Sequence, residues 1–260
     1  MPAFAIIPAR YKSTRFPGKP LCLLAGKPMI QWVYEGVKGS KSIKEAFVAT
    51  DHELIYDTVN GFGGKVIMTK EDHQSGTDRI AEAAIKLVEQ GYDIKESDII
   101  VNVQGDEPMI EPEMVDKVVS VMEDERADIG TLVKKIEDFS EVLNPNVVKV
   151  VFDKEGFALY FSRAPIPYHR DKWKKLEDPL PGNDKFMVFK HIGIYAYRKD
   201  FLLKFSNLSP TRLEAIERLE QLRALENGFR IKVIETEKET IGVDTLEDLR
   251  KVEKCLNISL

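Results

Sequence analysis

The chain has 260 residues, of which 43% are hydrophobic, so it is long enough to bury a substantial core. Its formal net charge of -5 argues against nucleic acid as a partner. No apolar stretch approaches the roughly 20 residues that cross a bilayer, and the N-terminus lacks signal-peptide features. Cys22 and Cys255 lie too far apart for a metal or redox motif. We therefore expect a reduced, cytoplasmic protein without membrane insertion.

Strand and helix patterns alternate through the first half of the chain. Short apolar runs predict strands at Phe4–Ile7, Ala46–Ala49, Lys65–Met68 and Ile99–Val103. Helical periodicity predicts helices at Met29–Val37, Glu53–Phe62, Asp78–Glu89 and Pro112–Met122. Pro28 suits the first helical position, and Ser75 or Thr77 suits a helix cap. This alternation favours an α/β fold with a mostly parallel central sheet.

The pattern changes in the second half of the chain. Two β-rich runs between Val147 and Phe161 flank the turn signal Asp153-Lys154-Glu155-Gly156, which predicts a β-hairpin. The polar stretch Tyr168–Asp184 lacks periodicity and predicts a surface loop. Lys190–Arg198 predicts a further strand.

Three more elements are predicted before the chain ends. Arg212–Glu226 predicts one helix, whose core-facing stripe comprises Leu213, Ile216, Leu219, Leu222 and Leu225. Ile231–Glu235 predicts a strand, and Thr245–Cys255 predicts a closing helix. Because no repeat or interdomain linker is visible, we predict a single domain over residues 1–260, with a hairpin insertion at about 144–200.

The first predicted strand leads directly into a cationic loop. Its cations are Arg10, Lys12, Arg15 and Lys19. Ligands of open α/β sheets bind at the carboxyl ends of strands, so the loop favours an anion site. Arg10 and Arg15 would clamp phosphate oxygens, and Lys19 would add a mobile point charge. The alternative is a solvated connection, and the spacing matches neither a Walker motif nor a dinucleotide fingerprint.

Two aspartates are candidates for binding a divalent metal. Asp106 lies in Val101–Pro108, where a strand pattern ends and directs a carboxylate toward the same sheet edge. Mg²⁺ on a triphosphate is usually held by one or two carboxylates together with water and phosphate oxygens. A simple turn is the alternative for Asp106. Asp244 would either cap the closing helix or supply a second carboxylate, and the sequence leaves both possibilities open.

The segment Gln74–Arg79 opens a predicted helix. Its hydroxyls, backbone donors and arginine suit a nucleotide phosphate, although plain capping explains the hydroxyls equally well. Arg163 follows a predicted strand and His191 begins one, while Glu220 and Gln221 flank an apolar stripe where exposure is the default. Residue patterns alone assign no function to these four side chains.

A series of motifs extends in order over essentially the whole chain. The motifs are Ile7–Leu21, Ala49–Asp51, Ser75–Arg79, Val101–Pro108, Asn144–Asn146, Leu159–Arg163, His191–Tyr195, Leu219–Arg223 and Gly242–Thr245. Any one of them is a weak signal, but the ordered set is specific. Together they resemble the family of 3-deoxy-manno-octulosonate cytidylyltransferases, also called CMP-Kdo synthetases.

The resemblance implies a Rossmann-like nucleotidyltransferase fold and a homodimer whose contact the inserted β-hairpin arm helps to build. It implies transfer of CMP from CTP to the anomeric hydroxyl of the acidic sugar 3-deoxy-D-manno-octulosonate (Kdo), with release of pyrophosphate. The product, CMP-Kdo, would serve lipopolysaccharide biosynthesis. Mg²⁺ is the implied cofactor, and CTP and Kdo are the implied substrates.

The resemblance also implies roles for individual residues. Lys19, Asp106 and Asp244 would be catalytic, and the two aspartates would hold Mg²⁺. Nucleotide contacts are implied for Pro8, Ala9, Arg10, Ser13, Arg15, Lys19, Ser75, Arg79 and Gln104. Sugar contacts are implied for Gln104, Arg163, His191, Tyr195, Glu220 and Gln221. Of these, Arg163 would pair with the carboxylate of Kdo.

Three other functions compete with this one. CMP-sialate synthetases activate another acidic ketose, but their N-terminal loop differs from the Arg-Tyr-Lys-Ser-Thr-Arg run found here. A glycosyltransferase usually carries a metal-binding Asp-x-Asp pair, which Asp106-Glu107 imitates only loosely. A nucleotide sensor would not require Lys19, Asp106 and Asp244 together. We therefore expect CMP-Kdo formation, with activation of another acidic sugar, such as sialic acid, as the alternative.

Overall fold

The computed structural model describes residues 2–12, 16–170 and 188–256. The strands are Ala3–Ala9 (β1), Leu23–Leu24 (β2), Lys27–Pro28 (β3), Ile43–Thr50 (β4), Val66–Met68 (β5), Ile99–Asn102 (β6), Ile129–Lys135 (β7), Lys149–Phe152 (β8), Ala158–Ser162 (β9), Phe189–Arg198 (β10) and Ile231–Glu235 (β11). The helices are Met29–Lys38 (α1), Glu53–Gly61 (α2), Gly76–Glu89 (α3), Pro112–Ser120 (α4), Phe139–Leu143 (α5), Lys199–Ser206 (α6), Arg212–Glu217 (α7), Gln221–Glu226 (α8) and Leu246–Cys255 (α9). Short 3₁₀ turns lie at Lys19–Leu21 and Val121–Glu123.

One large sheet organises these elements. Its strand order is β11-β7-β10-β6-β1-β4-β5, and β8 and β9 extend it from β10. The strands β6, β1, β4 and β5 are mutually parallel, whereas β10 runs antiparallel between β6 and β7. The predicted α/β fold class with a mostly parallel central sheet is therefore confirmed.

Burial on both faces explains why β1 is almost entirely apolar. Phe4 and Ile6 point into one core, and Ala3, Ala5 and Ile7 point into the other. The side chains of α1 and α4 fill the second core, while those of α3, α6 and α8 fill the first. Successive residues of a strand face opposite sides of the sheet, so helices on both sides require a continuous apolar run.

The strand order reverses beside β1. From β1 the chain proceeds outward through β4 and β5, and it then returns through α3 to place β6 on the other side of β1. Such a reversal leaves a crevice at the carboxyl ends of the two central strands. The segments that follow β1 and β6 therefore meet at one edge of the sheet.

Most of the predicted elements are present, with ends that differ by a few residues. The predicted hairpin corresponds to β8 and β9, and its turn contains Gly156, whose φ of 82° suits a glycine. Pro28 was predicted to be the first helical residue, and this prediction is wrong. Pro28 pairs in β3, and α1 begins after it. Of the predicted loop Tyr168–Asp184, residues 171–184 lie outside the described residues.

The sequence prediction missed the short strands β2 and β3, the strand β7 and the helices α5 and α6. Within β7, Gly130 weakens the strand signal, since glycine has no side chain to pack on a pleated surface. The structure gives the reason for this glycine. A Cβ at Gly130 would lie 3.2 Å from the carbonyl oxygen of Val118 in α4, so a side chain there would press the helix away from the sheet.

The prediction of a single helix over Arg212–Glu226 is wrong. The chain instead forms α7 and α8, separated at Arg218, whose φ is 55°. Arg163 binds the end of α7, since its Nε donates to the carbonyl oxygen of Glu217 at 2.7 Å. This contact occupies a carbonyl that a continuous helix would use for its next turn. As a result Ile216, predicted to face the core, is 66% exposed.

Candidate active site

A cavity of about 760 Å³ opens at the carboxyl ends of β1 and β6. Of the residues predicted for nucleotide or metal binding, those that line it are Pro8, Ala9, Arg10, Lys19, Ser75, Arg79, Gln104, Asp106 and Asp244. The structure thus brings together segments from the beginning, middle and end of the chain. Ser13 and Arg15 lie outside the described residues, so their predicted nucleotide contacts stay predictions.

Lys19 joins the two candidate metal-binding aspartates. Its Nζ lies 2.5 Å from Oδ2 of Asp106 and 3.1 Å from Oδ1 of Asp244. The side chain of Lys19 is only 12% exposed, and those of Asp106 and Asp244 are 31% and 47% exposed. Two carboxylates therefore converge on one position, which the ammonium group of Lys19 occupies in this structure.

Asp244 reaches this position because another residue caps the closing helix. The hydroxyl of Thr245 accepts a hydrogen bond from the backbone N–H of Asp248, and the Asp248 carboxylate accepts one from the N–H of Thr245. Of the two possibilities left open for Asp244, the helix cap is therefore excluded, because Thr245 is the cap. The backbone N–H of Val243 also donates to the carbonyl oxygen of Asp106 at 2.9 Å, which joins the two aspartate segments directly.

A close backbone approach shapes the floor of the cavity. The N–H of Gly105 donates to the carbonyl oxygen of Pro8 at 3.3 Å. A Cβ at Gly105 would lie 2.8 Å from that same oxygen, so only glycine allows the two segments to come this close. The turn that carries Asp106 is therefore held against the end of β1.

The first turn of α3 forms one wall. Ser75 caps the helix by accepting from the N–H of Asp78, and the Asp78 carboxylate accepts from the N–H of Ser75 in return. This confirms Ser75 as the cap among the two candidates. Gly76 lies beside Gln104, since a Cβ at Gly76 would be 3.5 Å from Oε1 of Gln104, an ordinary van der Waals contact.

Arg79 lines the cavity from a buried position. One Nη donates to Oδ2 of Asp51 at 2.7 Å, and the other donates to Oγ1 of Thr69 at 2.6 Å and to the carbonyl oxygen of Lys70. Asp51 follows β4, at the same edge of the sheet. Arg79 thereby anchors α3 to the central strands, and its predicted nucleotide contact stays a prediction.

Of the predicted sugar-site residues, Gln104 lines the cavity and the other five do not. His191 and Tyr195 lie on β10, where Tyr195 pairs with Asn102, the last residue of β6. The part of β10 that contains His191 therefore projects past the end of β6. The register with β7 shifts between Ile192 and Tyr195, a bulge of the kind that often redirects side chains next to active sites.

Burial fixes the state of His191. Its ring packs edge-on against Phe161 and lies beside Tyr195, and burial lowers its pKa to about 3. Oγ1 of Thr131 lies 2.9 Å from Nε2 of His191 and donates to the carbonyl oxygen of Ile194 at 2.7 Å. Because that hydroxyl has one proton, Nε2 of the neutral histidine is the donor to Thr131.

Gln221 is buried and Glu220 is half-buried, contrary to the exposure expected for their helical positions. Gln221 is 5% exposed, and its Nε2 has no hydrogen-bond partner among the described residues. Burial raises the pKa of Glu220, although the hydroxyls of Thr77 and Ser75 act in the opposite direction. The break between α7 and α8 places both side chains at the N-terminal end of α8.

Arg163 is already engaged in the described structure. Its guanidinium donates to the backbone carbonyl oxygens of Pro145 and Glu217 at 2.8 and 2.7 Å. Its own backbone N–H donates to Oε2 of Glu217 at 2.9 Å. These contacts connect β9 with α7, so the predicted pairing of Arg163 with a sugar carboxylate stays a prediction.

The sequence reasoning missed several residues of the site. Tyr11 and His73 line the cavity without having been predicted, and Lys12 and Gln74 line it from segments that the sequence favoured for anion or nucleotide binding. Glu107 was not predicted either. Its burial, with the Asp106 charge adding to the effect, raises its pKa to about 7. Only the three-dimensional packing distinguishes its environment from that of Asp106.

A sequence model of the cytidylyltransferase family matches residues 4–238. The chain belongs to the cytidylyltransferase family. Within the described residues, no helix is both long and apolar enough to cross a membrane.

Relatives agree with this assignment at the level of the whole chain. The 3-deoxy-manno-octulosonate cytidylyltransferase of Thermodesulfovibrio yellowstonii is 56% identical over 257 residues, which is 99% of each chain. The protein of the same name from Geobacter sulfurreducens is 53% identical over 95% of this chain and 96% of its own. A solved CMP:2-keto-3-deoxy-manno-octonic acid synthetase complexed with CTP is 42% identical, with a TM-score of 0.86 and 98% of both chains covered. The resemblance inferred from the motifs is confirmed.

The buried histidine generates a prediction on stability. The unfolded chain binds a proton at His191 below its ordinary pKa of 6.5, whereas the folded chain does so only near about 3. The stability associated with neutral His191 is thus present above pH 6.5 and is lost as the pH falls toward 3. Relative to a His191→Gln variant, the wild type should lose at most about 1.4 kcal/mol per pH unit in this interval.

Urea unfolding of both proteins at neutral and mildly acidic pH measures this difference. The two free energies of unfolding should keep a constant separation above pH 6.5 and approach each other below it. Parallel curves throughout the acidic interval would show that His191 titrates normally in the folded protein.

Proposed function

We propose that this chain transfers CMP from CTP to the anomeric hydroxyl of Kdo, giving CMP-Kdo and pyrophosphate. The observation that carries the proposal is the agreement between the cavity and the relatives. The cavity unites the motif segments around Lys19, Asp106 and Asp244, and the relatives that share the whole chain are named for this reaction. The product would supply lipopolysaccharide biosynthesis.

The chemistry requires attack by a sugar hydroxyl on the α-phosphorus of CTP. The negative charge of the triphosphate repels such a nucleophile, so catalysis depends on positioning and charge neutralisation. The cavity supplies cations for this purpose: Arg10, Lys12, Lys19 and Arg79 line it. Lys19, which lies closest to the two aspartates, would balance charge on the triphosphate as pyrophosphate leaves.

The donor set of the cavity suits a magnesium ion. Asp106 and Asp244 converge on the Lys19 ammonium, which shows that one cation can contact both carboxylates. No group of three or more metal-binding side chains occurs among the residues that the structure describes, so the phosphates and water would complete the coordination. When bound, Mg²⁺ would neutralise phosphate charge and lower the pKa of the attacking hydroxyl.

The remaining residues would hold the two substrates in register. Ser75, Arg79 and Gln104 would contact the nucleotide from α3 and from the segment after β6. The sugar would lie toward β10 and α8, where His191, Tyr195, Glu220 and Gln221 would bind its hydroxyls. Arg163 would pair with its carboxylate through the guanidinium donors that its three contacts with backbone carbonyl oxygens leave over.

A homodimer fits an apolar surface on the hairpin arm. Leu159 of β9 is 63% exposed, and Ile216 of the neighbouring helix α7 is 66% exposed. Tyr160 connects these two elements, since its hydroxyl donates to Oε1 of Glu217 at 3.3 Å. Successive residues of a strand face opposite sides of the sheet, so Leu159 lies on the face away from α7 and would be the centre of the proposed contact with a second copy.

Pyrophosphate release from CTP tests the proposed reaction. With Mg²⁺ present we expect release with Kdo and no comparable release with N-acetylneuraminate or hexose 1-phosphates. Omitting Mg²⁺ or adding a chelator should abolish the release. Turnover with N-acetylneuraminate instead of Kdo would support the alternative acidic-sugar substrate. No release with any sugar from a folded protein that binds CTP would refute the proposed activity.

Substitution of the aspartates tests the metal assignment. Asp106→Asn and Asp244→Asn should each lower kcat by about 100-fold or more, because each removes a charge from the metal-binding pair. Asp57→Asn, on the exposed side of α2, is the matched control and should leave turnover unchanged. Steady-state rates across a Mg²⁺ titration measure both effects. Near-normal turnover of folded Asp106→Asn would eliminate its proposed role.

The dimer proposal predicts that substitutions of two exposed leucines have different effects on the dimer dissociation constant. Leu159→Asp should raise the dimer dissociation constant at least about tenfold, since burial of a leucine stabilises by roughly 2 kcal/mol. Leu54→Asp, on α2 and 52% exposed, should have no effect. Sedimentation equilibrium measures both constants. Equal dissociation constants for the two variants, or a monomeric wild type, would contradict the proposal.

A further inference from the structure

Thr77 makes a buried hydrogen bond that the proposed mechanism does not use. Thr77 lies in the first turn of α3 and is 2% exposed. Its hydroxyl donates to Oε2 of Glu220 at 2.5 Å. The two residues are 143 positions apart in the chain, so this contact depends on the complete fold. Charge-assisted hydrogen bonds of this type are stronger than those between neutral groups.

The hydrogen bond selects one orientation of the Glu220 carboxylate. While Oε2 accepts from Thr77, Oε1 is buried and has no hydrogen-bond partner among the described residues. Arg223 does not satisfy that oxygen by hydrogen bonding, since its Nη2 lies 3.6 Å from it and only 2.5 Å from Oε1 of Glu214. An acceptor held in this way has an unfilled requirement for a donor.

The same turn of helix also faces the nucleotide cavity. Ser75 and Gly76 line the cavity, and Thr77 follows them directly. Ser75 accepts a hydrogen bond from the N–H of Asp78, and its side chain also interacts with Glu220. Arg79 then ties the helix to Asp51 at the end of β4. One rigid segment thus contacts the nucleotide side and the sugar side of the site.

We propose that Thr77 is a positioning residue for the sugar substrate: it holds Oε2 of Glu220 so that Oε1 accepts from a sugar hydroxyl. The inference rests on the proposed function, because it assumes that Glu220 contacts the sugar. It adds that the orientation of Glu220 is set by the helix whose first turn lines the nucleotide cavity. Removal of the Thr77 hydroxyl should therefore weaken sugar binding and leave nucleotide binding intact.

The test compares Thr77→Val with Thr77→Ser. Valine keeps nearly the same shape and removes the hydroxyl, whereas serine keeps the hydroxyl and removes a methyl group. With CTP saturating, Thr77→Val should raise the KM for Kdo roughly tenfold, the effect of losing one hydrogen bond to a charged group. Its KM for CTP should stay within about twofold of the wild type, and Thr77→Ser should restore the KM for Kdo to within about threefold.

The comparison separates positioning from a purely structural role. Loss of stability alone would lower the active fraction and hence the apparent kcat of Thr77→Val, without a selective change in the KM for Kdo. Thermal unfolding of both variants records that loss independently. If Thr77→Val does not fold, Thr77→Ala removes the same hydroxyl with a smaller side chain and is expected to show the same split between the two KM values.

Two results would overturn the inference while leaving the proposed function in place. One is a wild-type KM for Kdo in a folded Thr77→Val or Thr77→Ala protein. The other is an equal rise for Thr77→Ser, which would show that the methyl group and not the hydroxyl is responsible. Failure of the proposed function is a different observation, because the wild-type protein itself would then release no pyrophosphate with Kdo.

Discussion

The parallel pairing of β1 with β6 determines where chemistry occurs in this molecule. Both strands are buried throughout, so polar side chains can follow them only at their ends. The first charged residue after β1 is Arg10, and the first after β6 is Asp106. Because the strands are neighbours that run in the same direction, the segments that follow them meet at one edge, and Lys19 joins them through its contact with Asp106.

Charge pairing compensates the buried cations at this edge of the sheet. Lys19 and Arg79 are mostly buried, and a buried cation is unfavourable unless a carboxylate compensates it. Asp106 and Asp244 compensate Lys19, and Asp51 compensates Arg79. The site therefore alternates cations and carboxylates. The proposed complex of Mg²⁺ with a triphosphate would bring the same two signs of charge, so its binding would exchange partners within this arrangement.

The sequence predicts those features that short segments determine. Apolar runs located β1 and β6, and the motifs located the residues that line the cavity. The sequence could have excluded Asp244 as the helix cap, because Thr245 and Asp248 form a capping box that is visible in the sequence. The burial of Glu220 could not have been predicted from the sequence. It depends on a helix break at Arg218, which Arg163 stabilises from a strand that is distant in the sequence. Periodicity describes a continuous helix and contains no information on such long-range contacts.

The contrast between Arg223 and Thr77 suggests why a hydroxyl holds Glu220. A guanidinium in full contact would occupy both carboxylate oxygens, as bidentate arginine pairs do. Glu214 instead draws the guanidinium of Arg223 away, and Thr77 engages a single oxygen of Glu220. The carboxylate thus retains one buried oxygen without a hydrogen-bond partner among the described residues, and a donor on a ligand can satisfy it. A site of this kind rejects molecules that lack the matching hydroxyl, because they would leave a buried acceptor without a partner.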